Sequence, residues 1–181
     1  KKDSDTGNHV VRVAKYSKLL ARVLGMSEEE QEEIYYAAQL HDLGKIGISD
    51  QIINKRCQLT LEEFEIMKTH TIIGYDILKN RSSKYLKKGS IVALSHHERY
   101  DGLGYPNGLK GNEIPIEGRI VAIADVFDAL LMKRSYKNSW SIEEAIDYIK
   151  GKSGTQFDPY LVDRYIDNIE EIRRISYEFK D

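Results

Sequence analysis

Apolar residues recur at three- and four-residue intervals along almost the whole chain, the period of helices with one buried face. Val10, Val13, Leu20, Ala21 and Leu24, with Ser17 among them, form the first stripe, and Gly25 after them is a natural helix C-cap. Ser27 followed by Glu30 has the form of a capping box, and it opens a second helix whose stripe is Ile34, Ala37, Ala38 and His41. Thr60 with Glu63 opens a third, carrying Phe64, Met67, His70, Gly74, Ile77 and Leu78 on one side. Further periodic stretches predict helices over 91–97, 119–132, 141–150 and 158–179. No segment alternates convincingly as a strand. The pattern therefore predicts an all-α bundle of about seven helices in a single domain over 1–181, without internal repeats. The long irregular stretch is YDGLGYPNGLKGNEIP, residues 100 to 115, rich in glycine and holding two of the three prolines. An irregular segment of that length in a compact domain is usually functional.

Composition narrows the setting without changing this picture. A chain of 181 residues that is 41% hydrophobic and 31% charged can bury one core, and no apolar run approaches the roughly 20 residues that span a bilayer. The formal net charge of −2 gives no support for coating a nucleic acid polymer or a membrane. A single cysteine, Cys57, excludes an internal disulfide and fits a reducing compartment, so a cytoplasmic, water-soluble protein is expected. Cys57 has no thiol-activating partner at a recognisable spacing and is read as a bystander.

The histidines change the picture. His9 falls in the first helix, His41 with Asp42 ends the second, His70 lies in the third, His96 and His97 end the fourth, and Asp125 sits inside the apolar fifth. A lone histidine on such a face is ordinarily satisfied by a backbone carbonyl. Several together, with aspartates inside LHDLG and IVAIADVFDAL, are costly to bury without a compensating cation. Imidazoles and carboxylates converging from several helices make a mixed nitrogen and oxygen site, which suits iron, manganese, nickel or zinc.

These residues resemble a known family. The order HD at 41–42, His70, HH at 96–97 and Asp125 is similar to the HD superfamily of metal-dependent phosphohydrolases. The longer pieces HDLGKIGISD, HHERYDGLGYPNGLKGNEIP and ADVFDALLMKRSYK resemble its HD-GYP branch, with Gly104, Tyr105 and Pro106 as the triplet. The similarity runs from about Asp3 to the FDP at 157–159. It implies hydrolysis of cyclic di-GMP to linear pGpG or GMP by a metal-bridging hydroxide, with two or three divalent ions, iron or manganese by preference. His41, Asp42, His70, His96, His97 and Asp125 match the family's metal ligands, with Asp42 at the bridging position, and His9 matches an N-terminal histidine ligand. Lys45, Arg134 and Lys137 match basic residues that hold substrate phosphate.

Two ions that share a water lower its pKa and neutralise charge on phosphorus, so the implied chemistry is coherent with the residues. In the loop, Gly102 and Gly104 permit a tight backbone and Pro106 stiffens it. Tyr100 or Tyr105 then either stacks on a guanine or pins the loop to the body. Asp5 lies four residues before His9 and is either a ligand to a third ion or an N-cap of the first helix. The chain departs from many relatives at Ser49, where they carry proline, and at Lys55, Arg56 and Cys57, where they read Lys-Pro-Gly. Two other readings stay open: the same chemistry on another cyclic dinucleotide or nucleotide, and a catalytically silent module that binds cyclic di-GMP or a protein. A start so close to the first matched ligand leads to the expectation of a longer regulator with a sensor or receiver domain, and GGDEF-type or other signalling proteins are expected as partners.

Overall fold

The computed structural model describes residues 7–55, 57–132 and 140–179. Within them the helices run α1 (Gly7–Val23), α2 (Glu28–Ala38), α3 (Asp50–Ile53), α4 (Leu61–Lys68), α5 (His70–Leu78), α6 (Lys84–Ser95), α7 (Ile116–Leu131), α8 (Ile142–Gly151), α9 (Pro159–Asp167) and α10 (Ile169–Glu178). Single 3-10 turns occupy Leu43–Gly47 and Gly111–Glu113. No strand occurs among the described residues, and none of their helices is long and apolar enough to cross a membrane.

The helices begin and end for chemical reasons that the sequence announces. Ser27 accepts from the Glu30 amide while Glu30 reaches back to the Ser27 amide, and Thr60 with Glu63 does the same for α4. Gly25 takes φ 77° after α1, a conformation that costs other residues strain. Two helices expected to be continuous are broken. At Thr69 the side-chain hydroxyl donates to the Ile66 carbonyl at 2.6 Å, which ends α4 and lets His70 start a new axis. At Asn168 the side-chain amide donates to the Arg164 carbonyl at 2.9 Å, and α9 gives way to α10. α6 begins at Lys84, well before Ile91, and in its first turns Lys88 faces Glu33 of α2 and Glu117 of α7, each at 3.1 Å. A helix face closed by ion pairs leaves no apolar stripe to read.

The core lies where α1 and α7 pack, with Val13, Leu20, Ile120, Ile123 and Phe127 buried. Tyr16, Phe127 and Tyr165 meet edge to face, their ring centroids 5.4 to 6.4 Å apart. α2, α5 and α6 pack on one side of this pair of helices and bring the ends that carry His41, His70 and His96 toward one point.

One crossing sets that convergence. A Cβ on Gly44 would lie 1.8 Å from the His70 carbonyl oxygen and 2.5 Å from the Gly74 amide nitrogen. The turn after Asp42 therefore lies directly on the backbone of α5. Gly44→Ala is expected to destabilise the protein by about 1–3 kcal/mol, because backbone atoms must move apart. Gly151→Ala, at a position with nothing within 4 Å, is the control and should be neutral or slightly stabilising. Denaturant unfolding of both variants checks this, and equal stability of the two would contradict the close crossing.

Candidate metal centre

Four of the five imidazoles are aimed by hydrogen bonds at Nδ1. At the ends of α2, α4 and α6 the carbonyls keep accepting capacity beyond their backbone bonds. His41 Nδ1 donates to the Ala38 carbonyl at 2.7 Å and His70 Nδ1 to that of Met67 at 2.7 Å. His96 Nδ1 is shared between the carbonyls of Val92 and Ala93, at 3.0 and 3.1 Å. A carbonyl only accepts, so in each ring Nδ1 carries the proton and Nε2 keeps its lone pair. His9, on α1, donates from Nδ1 to Asp128 Oδ2 at 2.7 Å and is fixed in the same sense.

Those lone pairs point into one small region. Asp42, His70, His96 and His97 form one group and His9, His41 and Asp125 another, each with one ligand atom per residue within 4.8 Å of the rest. Asp42 joins them. Its Oδ1 lies 3.2 Å from His70 Nε2 and 3.7 Å from His96 Nε2, while its Oδ2 lies 3.3 Å from His41 Nε2. Asp125 Oδ1 stands 3.5 Å from His9 Nε2 and 3.8 Å from His41 Nε2. Ligand atoms held about 2.1 Å from one ion are themselves about 3.0–3.5 Å apart, so these separations suit shared ions with little movement. The carboxylates form the open side of the site: Asp42 and Asp125 are 15% and 17% exposed, against 3% or less for His9, His41, His70 and His96.

Hydrogen bonding and charge give the same reading. Among the described residues, Nε2 of His41, His70 and His96 and Oδ1 of Asp42 are buried and without a hydrogen-bond partner. Four such atoms facing one another are expensive to leave unmatched, and a divalent cation satisfies all of them. Burial disfavours charge on His41, yet Asp42 and Asp125 overcome it and push its pKa up to about 9. Burial likewise opposes charge on Asp42, but His41 and the imidazoles gathered around it hold its carboxyl well below the usual range. His96 and His97 are lowered, by burial first and then by neighbouring histidines, and stay neutral as ligands must. The carboxylates therefore demand positive charge here, and a proton on His41 Nε2 and an ion at that atom exclude each other.

The surroundings define the rest of the expected site. Lys45 Nζ lies 2.6 Å from Asp42 Oδ2. Tyr105 stacks on His97 with ring centroids 4.7 Å apart, and Phe64 meets its edge at 6.1 Å. Burial, then Asp42 and Asp125, raise the Tyr105 hydroxyl well above the ordinary tyrosine value, so it stays a protonated donor. A cavity of about 310 Å³ adjoins this group, with Lys68, Leu103 and Gly104 also in its wall. Tyr100 is fixed by its backbone instead, its amide donating to Gln156 and its carbonyl accepting from Gly111. Cys57 is exposed, with its thiol free. Asp5, Arg134 and Lys137 lie outside the described residues.

Two acidic residues absent from the sequence reading support the site. Asp128, fully buried, holds His9 from behind. Its signal was present, a second aspartate one turn after Asp125 in the same apolar run. Glu98, also buried, accepts from the amides of Asn107 and Leu109 at 2.8 and 3.0 Å and so ties down the glycine-rich loop. A Cβ on Gly104 would come within 2.6 Å of Glu98 backbone atoms, so the loop needs glycine there to lie so close.

Comparison with known proteins follows these residues. A family model for the HD domain matches residues 1–161. The chain is 48% identical over 180 residues to a cyclic di-GMP phosphodiesterase of Thermotoga maritima, covering 99% of this chain and 49% of that protein. It is 44% identical over 178 residues to the cyclic di-GMP phosphodiesterase response regulator RpfG of Xanthomonas campestris, covering 98% of this chain and 47% of that one. A solved cyclic GMP-AMP specific phosphodiesterase of Vibrio cholerae superposes with a TM-score of 0.73 at 25% identity, over 99% of this chain and 48% of the other. The chain spans about half the length of the curated relatives it matches in sequence here.

Hydrogen bonds to a charged carboxylate are worth about 1.5–3 kcal/mol each. Glu98→Ala should therefore speed amide exchange at Asn107 and Leu109 by roughly ten- to a hundredfold, measured by hydrogen exchange. Unchanged exchange at both amides would show that Glu98 does not hold the loop.

Proposed function

The chain belongs to the HD domain family, and from that premise we propose that it is a metal-dependent phosphodiesterase hydrolysing cyclic di-GMP, to linear pGpG or on to GMP. The observation that carries this reading is the placement of Asp42, whose Oδ1 faces the buried Nε2 atoms of His70 and His96 and whose Oδ2 faces that of His41, which belongs to a different ligand group. A carboxylate so placed would be shared by two cations. His70, His96 and His97 complete one position, and His9, His41 and Asp125 the other. The donor set of imidazole and carboxylate fits divalent iron or manganese, with nickel and zinc also compatible.

A pair of divalent ions supplies an activated water and neutralises charge on a phosphodiester. The chain's own residues do the rest. The Nδ1 donations to helix-end carbonyls keep the rings from turning, so binding requires no reorganisation. Lys45, drawn to Asp42 in this structure, is placed to turn its ammonium to a substrate phosphate once cations satisfy the carboxylate. Arg134 and Lys137 are proposed for the same task from the sequence, and Tyr105 offers a ring face and a protonated hydroxyl beside the cavity. Two groups of ligands support two ions, and a third would draw on Asp5. The likeness to a cyclic GMP-AMP specific enzyme favours one second reading, the same hydrolysis on a mixed dinucleotide. Parallel assays with both dinucleotides separate the two.

Paired substitutions test the assignment. Asp42→Ala should lose both ions, measured by elemental analysis, and turnover with them. Lys45→Ala should keep both ions and lower kcat/KM by about 10²–10³-fold, the usual cost of deleting one preorganised charge donor. An Asp42→Ala protein with full turnover would refute the bridging role, and loss of metal in Lys45→Ala would make that lysine structural.

A further inference from the structure

Behind the His9, His41 and Asp125 group lies a second set of charges. Asp128, on α7, is fully buried and receives three hydrogen bonds. His9 Nδ1 donates to Oδ2 at 2.7 Å, Arg12 Nε donates to Oδ1 at 2.7 Å, and Arg12 Nη2 donates to Oδ2 at 3.0 Å. The guanidinium then uses Nη1 to donate to the carbonyl of Phe179, at the end of α10, at 2.5 Å. His9 and Arg12 are three residues apart on α1, so they leave the same face of that helix. One carboxylate thus ties together α1, α7 and the end of α10, and one of its three bonds goes to a proposed ligand.

A neutral imidazole has one N–H. Given to Asp128, that hydrogen commits His9 to Nδ1–H and leaves the Nε2 lone pair 3.5 Å from Asp125 Oδ1, where an ion would sit. A neutral acceptor in place of Asp128 would leave the ring less strongly oriented and its nitrogen less basic. The carboxylate itself can be buried only because Arg12 meets it with a two-point fork, a geometry that lysine does not reproduce.

We infer that Asp128 is a positioning residue for His9, with Arg12 as the clamp that fixes that carboxylate against the end of α10, and that the pair selectively supports the metal position of His9, His41 and Asp125. In the other group, among the described residues, His70 and His96 are aimed by backbone carbonyls, as His41 is in the first, so His9 is the imidazole held by a buried charged pair. The inference rests on the two-ion reading above.

The test is metal affinity of the loaded protein, measured by competition with a graded chelator, beside thermal unfolding. Wild type should release two ions in two steps. In Asp128→Asn one step should shift by about 10- to 100-fold, the usual effect of losing such a partner, while the other stays in place. Arg12→Lys keeps the charge but not the fork, so it should move the same step by less. Two ions retained in Asp128→Asn with both steps unchanged would overturn the inference, as would equal weakening of both steps, since the carboxylate would then serve only the fold. If Asp128→Asn does not fold, Arg12→Lys decides: a selective shift supports the inference and no shift removes it. Absence of any ion in wild type would instead defeat the two-ion reading itself.

Discussion

The Asp42 carboxylate lies 3.2 Å from His70 Nε2 and 3.3 Å from His41 Nε2, inside a wall of imidazoles. Removing one partner from a buried charge in such a place typically costs about 3–5 kcal/mol, so the carboxylate has to be matched by positive charge. Lys45 and a proton on His41 supply some of it. The unpartnered Nε2 atoms of His70 and His96, joined by that of His41 once its proton leaves, show the direction in which the remaining demand is met, because lone pairs converging on a carboxylate are a place for a cation and for little else.

Most of the fold serves that convergence. His41 follows α2, His70 opens α5 and His96 caps α6, so the same carbonyls that end the helices also fix the rings. The glycine crossing of the 43–47 turn on α5 brings Asp42 to His70, and the α1 to α7 core brings His9 to Asp125. Opposite the metal groups, Glu98 holds the glycine-rich loop down, which places Tyr105 against His97. Site and scaffold are thus joined at helix ends, where the backbone has hydrogen-bonding capacity left over.

Much of this was readable from residue order. Ser27 with Glu30, Thr60 with Glu63 and Gly25 fall at helix boundaries because capping chemistry is local, and local chemistry is written in neighbouring residues. The seven proposed ligands between His9 and Asp125 lie in two neighbouring groups, since polar groups inside apolar helices have few places to go. What depends on distant partners was not readable. The lysines of α6 are paired across helices, whereas the break at Thr69 is local but turns on a single hydroxyl that could equally have left the helix continuous. The roles of Asp128 and Glu98 depend on groups far along the chain or on loop amides. The HD match carries the family, while Asp5, Arg134 and Lys137 rest on sequence alone.

Stripping the wild-type protein with a chelator and returning a divalent ion in steps, while following bound metal and cyclic di-GMP cleavage together, is the most direct test. The account predicts no cleavage in the stripped protein and a rate that rises to its full value as occupancy reaches two ions per chain. Full cleavage without metal, or two bound ions without cleavage of any cyclic dinucleotide, would contradict it.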